Sequence, residues 1–220
     1  MAHFYYRMKI RLLIIGLIIT STSYGQELLR IKSDGQRLKD FYVSMNVEQL
    51  WISGHHVNWE TGEPDMPESK QGIKTHCSAF VAAACERLNI YILRPPQHGQ
   101  VLLANAQADW LNSPLSKDAG WRQLSGDDSL YQKAQQLANA GKVVVAICKN
   151  PIRTKPGHVG LVMPSDRSEA TLKEEGPCII MSGTHNFNRV ALVKAFKSHI
   201  SSWPPHEIEF FVHDVTMQIN

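Results

Sequence analysis

The clearest periodic pattern in the chain spans residues 75–88. Its apolar positions follow the three- and four-residue spacing of one helix face: Cys77, Phe80, Val81, Ala84, Cys85 and Leu88. A run of consecutive alanines, without glycine or proline, also favours a helix. Thr75 stands where an N-cap residue is expected, so the pattern predicts that Cys77 lies in the first turn.

The remaining pattern predicts helices first and short strands afterwards. Weaker helical periodicity covers residues 26–50, 101–111 and 127–140. After Gly141 the apolar positions form short runs with few polar breaks, which are typical of buried strands, at residues 142–148, 158–163, 177–182 and 208–215. This order predicts an α+β fold in which the strands form an antiparallel meander.

A long polar loop separates the first helical region from the helix at residues 75–88. It covers residues 54–74, and a loop of about twenty residues is uncommon in a compact domain and often functional. Trp51, Trp59, His55 and His56 near its start are candidates for lining a sugar or peptide groove, with ordinary packing as the alternative. The two histidines lack a third ligand at helical spacing, so we predict no metal site.

The N-terminus predicts a signal peptide over residues 1–25. A basic segment is followed by an apolar core at residues 12–19 and by small residues before a cut after Gly25. The apolar core is too short to span a membrane. We therefore expect one exported domain, residues 26–220, in the periplasm or outside the cell. An uncleaved anchor or a buried N-terminal helix is the alternative.

Composition places the chain among ordinary globular proteins. Of its 220 residues, 43% are hydrophobic and 20% are charged, which excludes disordered, collagen-like and multi-span membrane classes. The formal charge of +3 is accounted for by Arg7, Lys9 and Arg11 in the predicted signal peptide. The rest of the chain is balanced, so nucleic-acid binding is not favoured.

The four cysteines show no Cys-x-x-Cys pair and no zinc-finger spacing. In a meander, Cys148 and Cys178 would lie at opposite ends of the sheet, too far apart to bond. Cys85 lies inside the apolar stripe of its helix. We expect these three to be buried free thiols, although two disulfides are the usual expectation for an exported protein with four cysteines.

Cys77 is the candidate nucleophile. A thiol in the first turn of a helix lies at the positive end of the helix dipole, which lowers its pKa. Such a nucleophile needs a base, and His158 is the best placed histidine because it follows Pro156 and Gly157 and begins an apolar strand. The alternative is that Cys77 is a small core residue or half of a disulfide.

Two motifs, HCSAFVAAACERL around Cys77 and PGHVGLVMP around His158, resemble the NlpC/P60 and CHAP-type papain-like cysteine amidases and peptidases. The resemblance implies a papain-like fold, with Cys77 as nucleophile and His158 as its base. It implies a third residue on the strand after the histidine strand: Asn186, with His185 or Ser182 as alternatives. The chain departs from the family in His76 before the cysteine, and in the long spacing of 81 positions from Cys77 to His158, which holds extra helices.

The resemblance further implies an exported hydrolase that cleaves amide bonds in peptidoglycan stem peptides or cross-bridges, without metal or cofactor. Its partners would be peptidoglycan or a peptide substrate, together with an inhibitor or immunity protein. Rival functions are a non-catalytic module that binds the cell wall or a partner, and a cysteine peptidase or acyltransferase that acts on proteins. The hydrolase predicts that the Cys77 sulfur lies within about 4 Å of a His158 ring nitrogen.

Overall fold

The computed structural model describes residues 29–66, 75–126 and 129–216. The predicted signal peptide and residues 67–74 of the long loop lie outside the described residues. None of the helices in the described ranges is long and apolar enough to cross a bilayer.

Helices and strands alternate irregularly along the chain. The helices are α1 Ser33–Ser44, α2 Cys77–Arg87, α3 Leu103–Leu111, α4 Pro114–Asp118, α5 Leu130–Asn139, α6 Glu169–Glu175 and α7 Leu192–Ala195. The strands are β1 His56–Val57, β2 Pro64–Met66, β3 Arg122–Leu124, β4 Val143–Cys148, β5 His158–Val162, β6 Cys178–Met181, β7 Phe187–Ala191 and β8 Glu209–His213.

The main sheet has six strands in the order β3-β8-β4-β5-β6-β7, and every neighbouring pair is antiparallel. Strands β4 to β7 follow one another in chain order, which confirms the α+β class and the predicted meander for the strands at residues 142–148, 158–163 and 177–182. The predicted fourth strand, β8, does not continue the meander and lies beside β4 instead. Strands β1 and β2 form a separate hairpin in the described part of the long loop. In the β4–β5 pair, Cys148 lies opposite His158.

Both faces of the sheet pack against a hydrophobic core, and for this reason the sequence of β4 is an unbroken run of apolar residues. Alternate residues of a strand point to opposite faces. Val145 of β4 belongs to the same core as α2, and Val144 belongs to the core that contains Ala134 of α5. We call these the α2 face and the α5 face.

Helix α2 is buried along most of its length because α1 and α3 also contribute to the core on the α2 face. A helix enclosed on all sides is apolar all round, as the alanine-rich sequence of α2 is. The helix begins at Cys77, and its N-cap is His76. The prediction of Thr75 as N-cap was therefore wrong, while the first-turn position of Cys77 is confirmed.

Several short elements were not predicted: α4, α6, α7, β1, β2, β3 and β7. Elements of two to seven residues are too short for a periodic signal. The helices expected between Cys77 and His158 are present as α3 and α5, with α4 added. The predicted start of α5 at residues 127–128 lies outside the described residues.

All four cysteines are free and buried, as predicted for Cys85, Cys148 and Cys178. Cys148 lies opposite His158 at one end of the sheet. The carbonyl of Cys178 accepts a hydrogen bond from Met163 N–H, beyond the other end of β5. The expected separation of these two cysteines is confirmed.

Candidate active site

Cys77 is the first residue of α2, and its side chain is nearly inaccessible, with 4% of the residue exposed. Burial raises the pKa of the thiol. The nearby N–H groups of Val159 and Ser78 and the Ser78 side chain favour the thiolate, and they only partly offset this rise in the pKa. The prediction of a lowered thiol pKa was therefore wrong, because desolvation outweighs the N–H groups near the sulfur.

His158 is the first residue of β5, and its imidazole is packed on the α5 face. Its Nε2 donates to the Met181 sulfur at 3.3 Å. The ring lies edge-on to Phe196, with centroids 4.8 Å apart, and parallel to His199, with centroids 5.0 Å apart and planes 16° apart. Only 5% of His158 is exposed.

The two stacked imidazoles have lowered pKa values. Burial, and then the neighbouring charge of His199, lowers the pKa of His158 to about 3. Burial also lowers the pKa of His199. Both rings are therefore neutral at pH 7. Because a thioether sulfur only accepts hydrogen bonds, the proton of neutral His158 is on Nε2, and Nδ1 has the free lone pair.

Cys77 and His158 lie at the same end of the sheet but on opposite faces. The thiol packs in the core of the α2 face, and the partners of the His158 ring lie on the α5 face. They are linked through Val159, the residue after His158, which belongs to the same core cluster as Cys77. Among the described hydrogen bonds none joins the Cys77 sulfur to the His158 ring, so the predicted direct contact is not formed in this arrangement.

The structure gives Asn186 a role other than the predicted orientation of His158. Its Nδ2 donates to the carbonyls of Val47 at 2.6 Å and Leu50 at 2.8 Å, and its Oδ1 accepts from Gly183 N–H at 3.0 Å. Asn186 therefore fastens the turn after β6 to residues 47–50. The prediction that Asn186 orients the imidazole of His158 was therefore wrong.

The two alternative third residues are also placed differently from the prediction. Ser182 is buried, and its hydroxyl donates to the Trp51 carbonyl at 2.9 Å. His185 is exposed and lines the cleft described below. Ser182 thus has a structural partner, and only His185 faces the space beside His158.

The residues that do contact the His158 ring were missed at the sequence level. His199 and Phe196 follow α7, and Met181 ends β6. A hydrogen bond from the Cys148 thiol to the His199 carbonyl, at 3.4 Å, helps to hold His199 beside β4. No motif marks His199, because only the return of the chain over β6 brings it to His158.

A cleft of about 270 Å³ opens beside the two imidazoles. Its lining includes Thr75 from the α2 side, Met181, His158 and His199, and on its outer part His185 and Lys194. The cleft therefore passes the end of the sheet where α2 and β5 begin. Thr75 lines it, whereas Cys77 lies behind the lining residues.

The tryptophans near the long loop are packing residues. Trp51 is fully buried, donates from Nε1 to the Trp59 carbonyl at 3.0 Å, and lies edge-on to Phe80 with centroids 5.3 Å apart. Trp59 is partly buried against the same core. The prediction that Trp51 lines a substrate groove was wrong, and Trp59 is not among the described residues that line the cleft.

The histidine pair in the loop has local partners. His56 pairs with Asp65 across the β1–β2 hairpin. The His55 carbonyl accepts a hydrogen bond from Nε2 of His76 at 2.7 Å, which ties the loop to the start of α2. In the described ranges no group of three or more metal-binding side chains occurs, and neither loop histidine lines the cleft.

Comparison with known proteins does not assign the chain to a family. No protein-family model matches the sequence. No curated protein matches it either. The function is therefore argued from the site itself and from the two motifs.

The glycine before His158 fixes the backbone at the site. A Cβ on Gly157 would lie 2.3 Å from the Cys148 carbonyl oxygen and 2.6 Å from Asn105 Oδ1. We expect Gly157→Ala to lower the free energy of unfolding by about 1–3 kcal/mol, measured by urea denaturation, since backbone must move. Gly99→Ala is the control, because a Cβ there would have no atom within 4 Å. Equal stability of both variants would contradict this packing.

Proposed function

We propose that the protein is an exported cysteine hydrolase of papain-like fold that cleaves amide bonds in peptidoglycan peptides, with Cys77 as nucleophile and His158 as base. The observation that carries the proposal is that Cys77 lies in one core cluster with Val159, the residue after His158, with the Val159 N–H near enough to the thiol to favour the thiolate. It places the start of the cysteine helix against the start of the histidine strand, next to a cleft that could hold a peptide.

Two features of the site support this chemistry. The N–H groups of Ser78 in α2 and Val159 in β5 lie near the sulfur and favour a thiolate as it forms. The neutral His158 ring has its free lone pair on Nδ1. Because burial lowers the pKa of this ring to about 3, the ring must leave its buried position to act as the base.

The proposed reaction has two stages. The Cys77 thiol transfers its proton to His158 Nδ1 as the sulfur attacks the amide carbonyl, and the proton then passes to the leaving amine. Water next hydrolyses the thioester and regenerates the thiol and a carboxylic acid. Because the side chains start on opposite faces, a backbone rearrangement at the start of β5 that brings Sγ and Nδ1 together is part of the proposal. Neither Asn186 nor Ser182 takes part.

A second candidate function is a non-catalytic module that binds peptides in the same cleft. The separation of Cys77 and His158 by the sheet favours it, since a binding module needs no contact between them. The raised pKa of Cys77 also suits a thiol that serves only as packing.

The test is digestion of purified peptidoglycan by the isolated protein, with released fragments identified by mass spectrometry. We expect new amine and carboxyl ends at peptide bonds, and no cleavage of an unrelated denatured protein. His158→Gln should reduce the rate by at least about a hundredfold. The exposed His206, changed to glutamine, is the matched control and should have no effect.

The outcomes separate the candidates. Sedimentation of the protein with peptidoglycan but without released fragments would contradict the hydrolase and support the binding module. Cleavage of the denatured protein instead of peptidoglycan would contradict the substrate class and favour a general cysteine peptidase.

A further inference from the structure

The charge of the cleft points to its ligand. Among the described residues that line it none is acidic, while Lys194 and three histidines face it. His158 and His199 are neutral at pH 7, since burial lowers their pKa values. Lys194 therefore gives the cleft a positive charge that does not require protonation of a histidine.

The ammonium group of Lys194 has no carboxylate within ion-pair distance in the described part of the chain. Its Nζ lies 5.3 Å from the centre of the Phe187 ring, and Phe187 also lines the cleft. The ring restricts the lysine side chain to this wall without neutralising it. The described ion pairs of the protein involve other lysines and arginines, such as Lys142 with Asp214.

Hydroxyl groups extend the donor surface around Lys194. Thr75, Thr184 and Ser198 line the same cleft, and Ser198 Oγ lies 3.0 Å from Nδ1 of His199. A carboxylate offers two oxygens that accept several hydrogen bonds, and bonds to a charged acceptor are stronger than neutral ones. The volume of about 270 Å³ suits a small fragment of a peptide rather than a long segment.

We propose that this cleft binds a free carboxylate of the substrate peptide, with Lys194 as its charge partner. The inference rests on the proposed function only for the location of the scissile amide, which would lie near Thr75 and Cys77. The proposed substrate is therefore a peptide that has a free carboxylate close to the cleaved bond. The cleft would bind this peptide more tightly than the same peptide with a carboxamide in place of the carboxylate.

The test measures binding without turnover. The probes are N-acetyl-alanyl-alanine with a free carboxylate and the same compound as its carboxamide, titrated by calorimetry into the Cys77→Ala variant. We expect the acid to bind about tenfold more tightly than the amide. We expect Lys194→Gln in the same background to abolish this preference.

Lys197→Gln is the matched control, because Lys197 is exposed three positions further on and does not line the cleft. It should retain the preference for the acid. Equal binding of acid and amide, no binding of either, or the same loss in both lysine variants would each overturn the carboxylate site. None of these results depends on hydrolysis, so the peptidoglycan digestion still decides the proposed function separately.

Discussion

Replacing Cys77 with alanine is expected to abolish hydrolysis of peptidoglycan while the protein stays folded. Alanine cannot form the thioester, so the rate should fall by at least about a thousandfold. Because the residue is 4% exposed and packs in the core, the free energy of unfolding should also fall, by about 1 kcal/mol. Fragment release and urea denaturation measure the two effects.

Cys85 is the matched control for this variant. It lies in the same helix, is fully buried, and has a pKa that burial raises to about 12. Cys85→Ala should cost a similar amount of stability and leave the rate within about twofold of the wild type. Loss of turnover in Cys85→Ala but not in Cys77→Ala would show that the nucleophile is misplaced.

The protein should lose about 2 kcal/mol of stability between pH 7 and pH 5 because of His158. The folded ring has a pKa of about 3, while an unfolded histidine has the ordinary value of 6.5. Between these values the unfolded chain binds a proton that the folded chain does not. The contribution of neutral His158 to the free energy of unfolding is therefore complete above pH 6.5. It is lost as the pH falls, by up to about 1.4 kcal/mol per pH unit.

Urea denaturation at half-unit steps of pH measures this dependence. His199, whose pKa burial also lowers, adds to the loss in the same direction. His158→Gln should give a shallower slope of stability against pH, and His206→Gln, at an exposed position, should leave the slope unchanged. An identical slope in His158→Gln and the wild type would contradict the burial of the neutral ring.

The main elements were predictable because their signals are local. Strand β4 is a run of β-branched and small apolar residues, and α2 has an apolar stripe with three- and four-residue spacing. The turn before His158 contains Pro156 and Gly157, and these two residue types favour turns in any sequence. These local signals also sufficed to place Cys77 at a helix start and His158 at a strand start.

The third residue of the site was mispredicted because its role depends on distant partners. An asparagine after β6 stands where the resemblance implies the third residue. Its amide nitrogen instead donates hydrogen bonds to the carbonyls of Val47 and Leu50. In the same way, Trp51 reads as a loop aromatic in the sequence. Its burial follows from contact with Phe80 and with Trp59.

The sequence alone determined the α+β class and the antiparallel succession of β4, β5 and β6, since hydrophobic periodicity and turn residues act over a few positions. Only the tertiary structure decided the state of the site. Whether Cys77 is buried, and which face of the sheet receives His158, depend on the register of β4 against β5 and on the return of His199. Desolvation and long-range packing set the pKa values of both groups, and neither is encoded in local spacing.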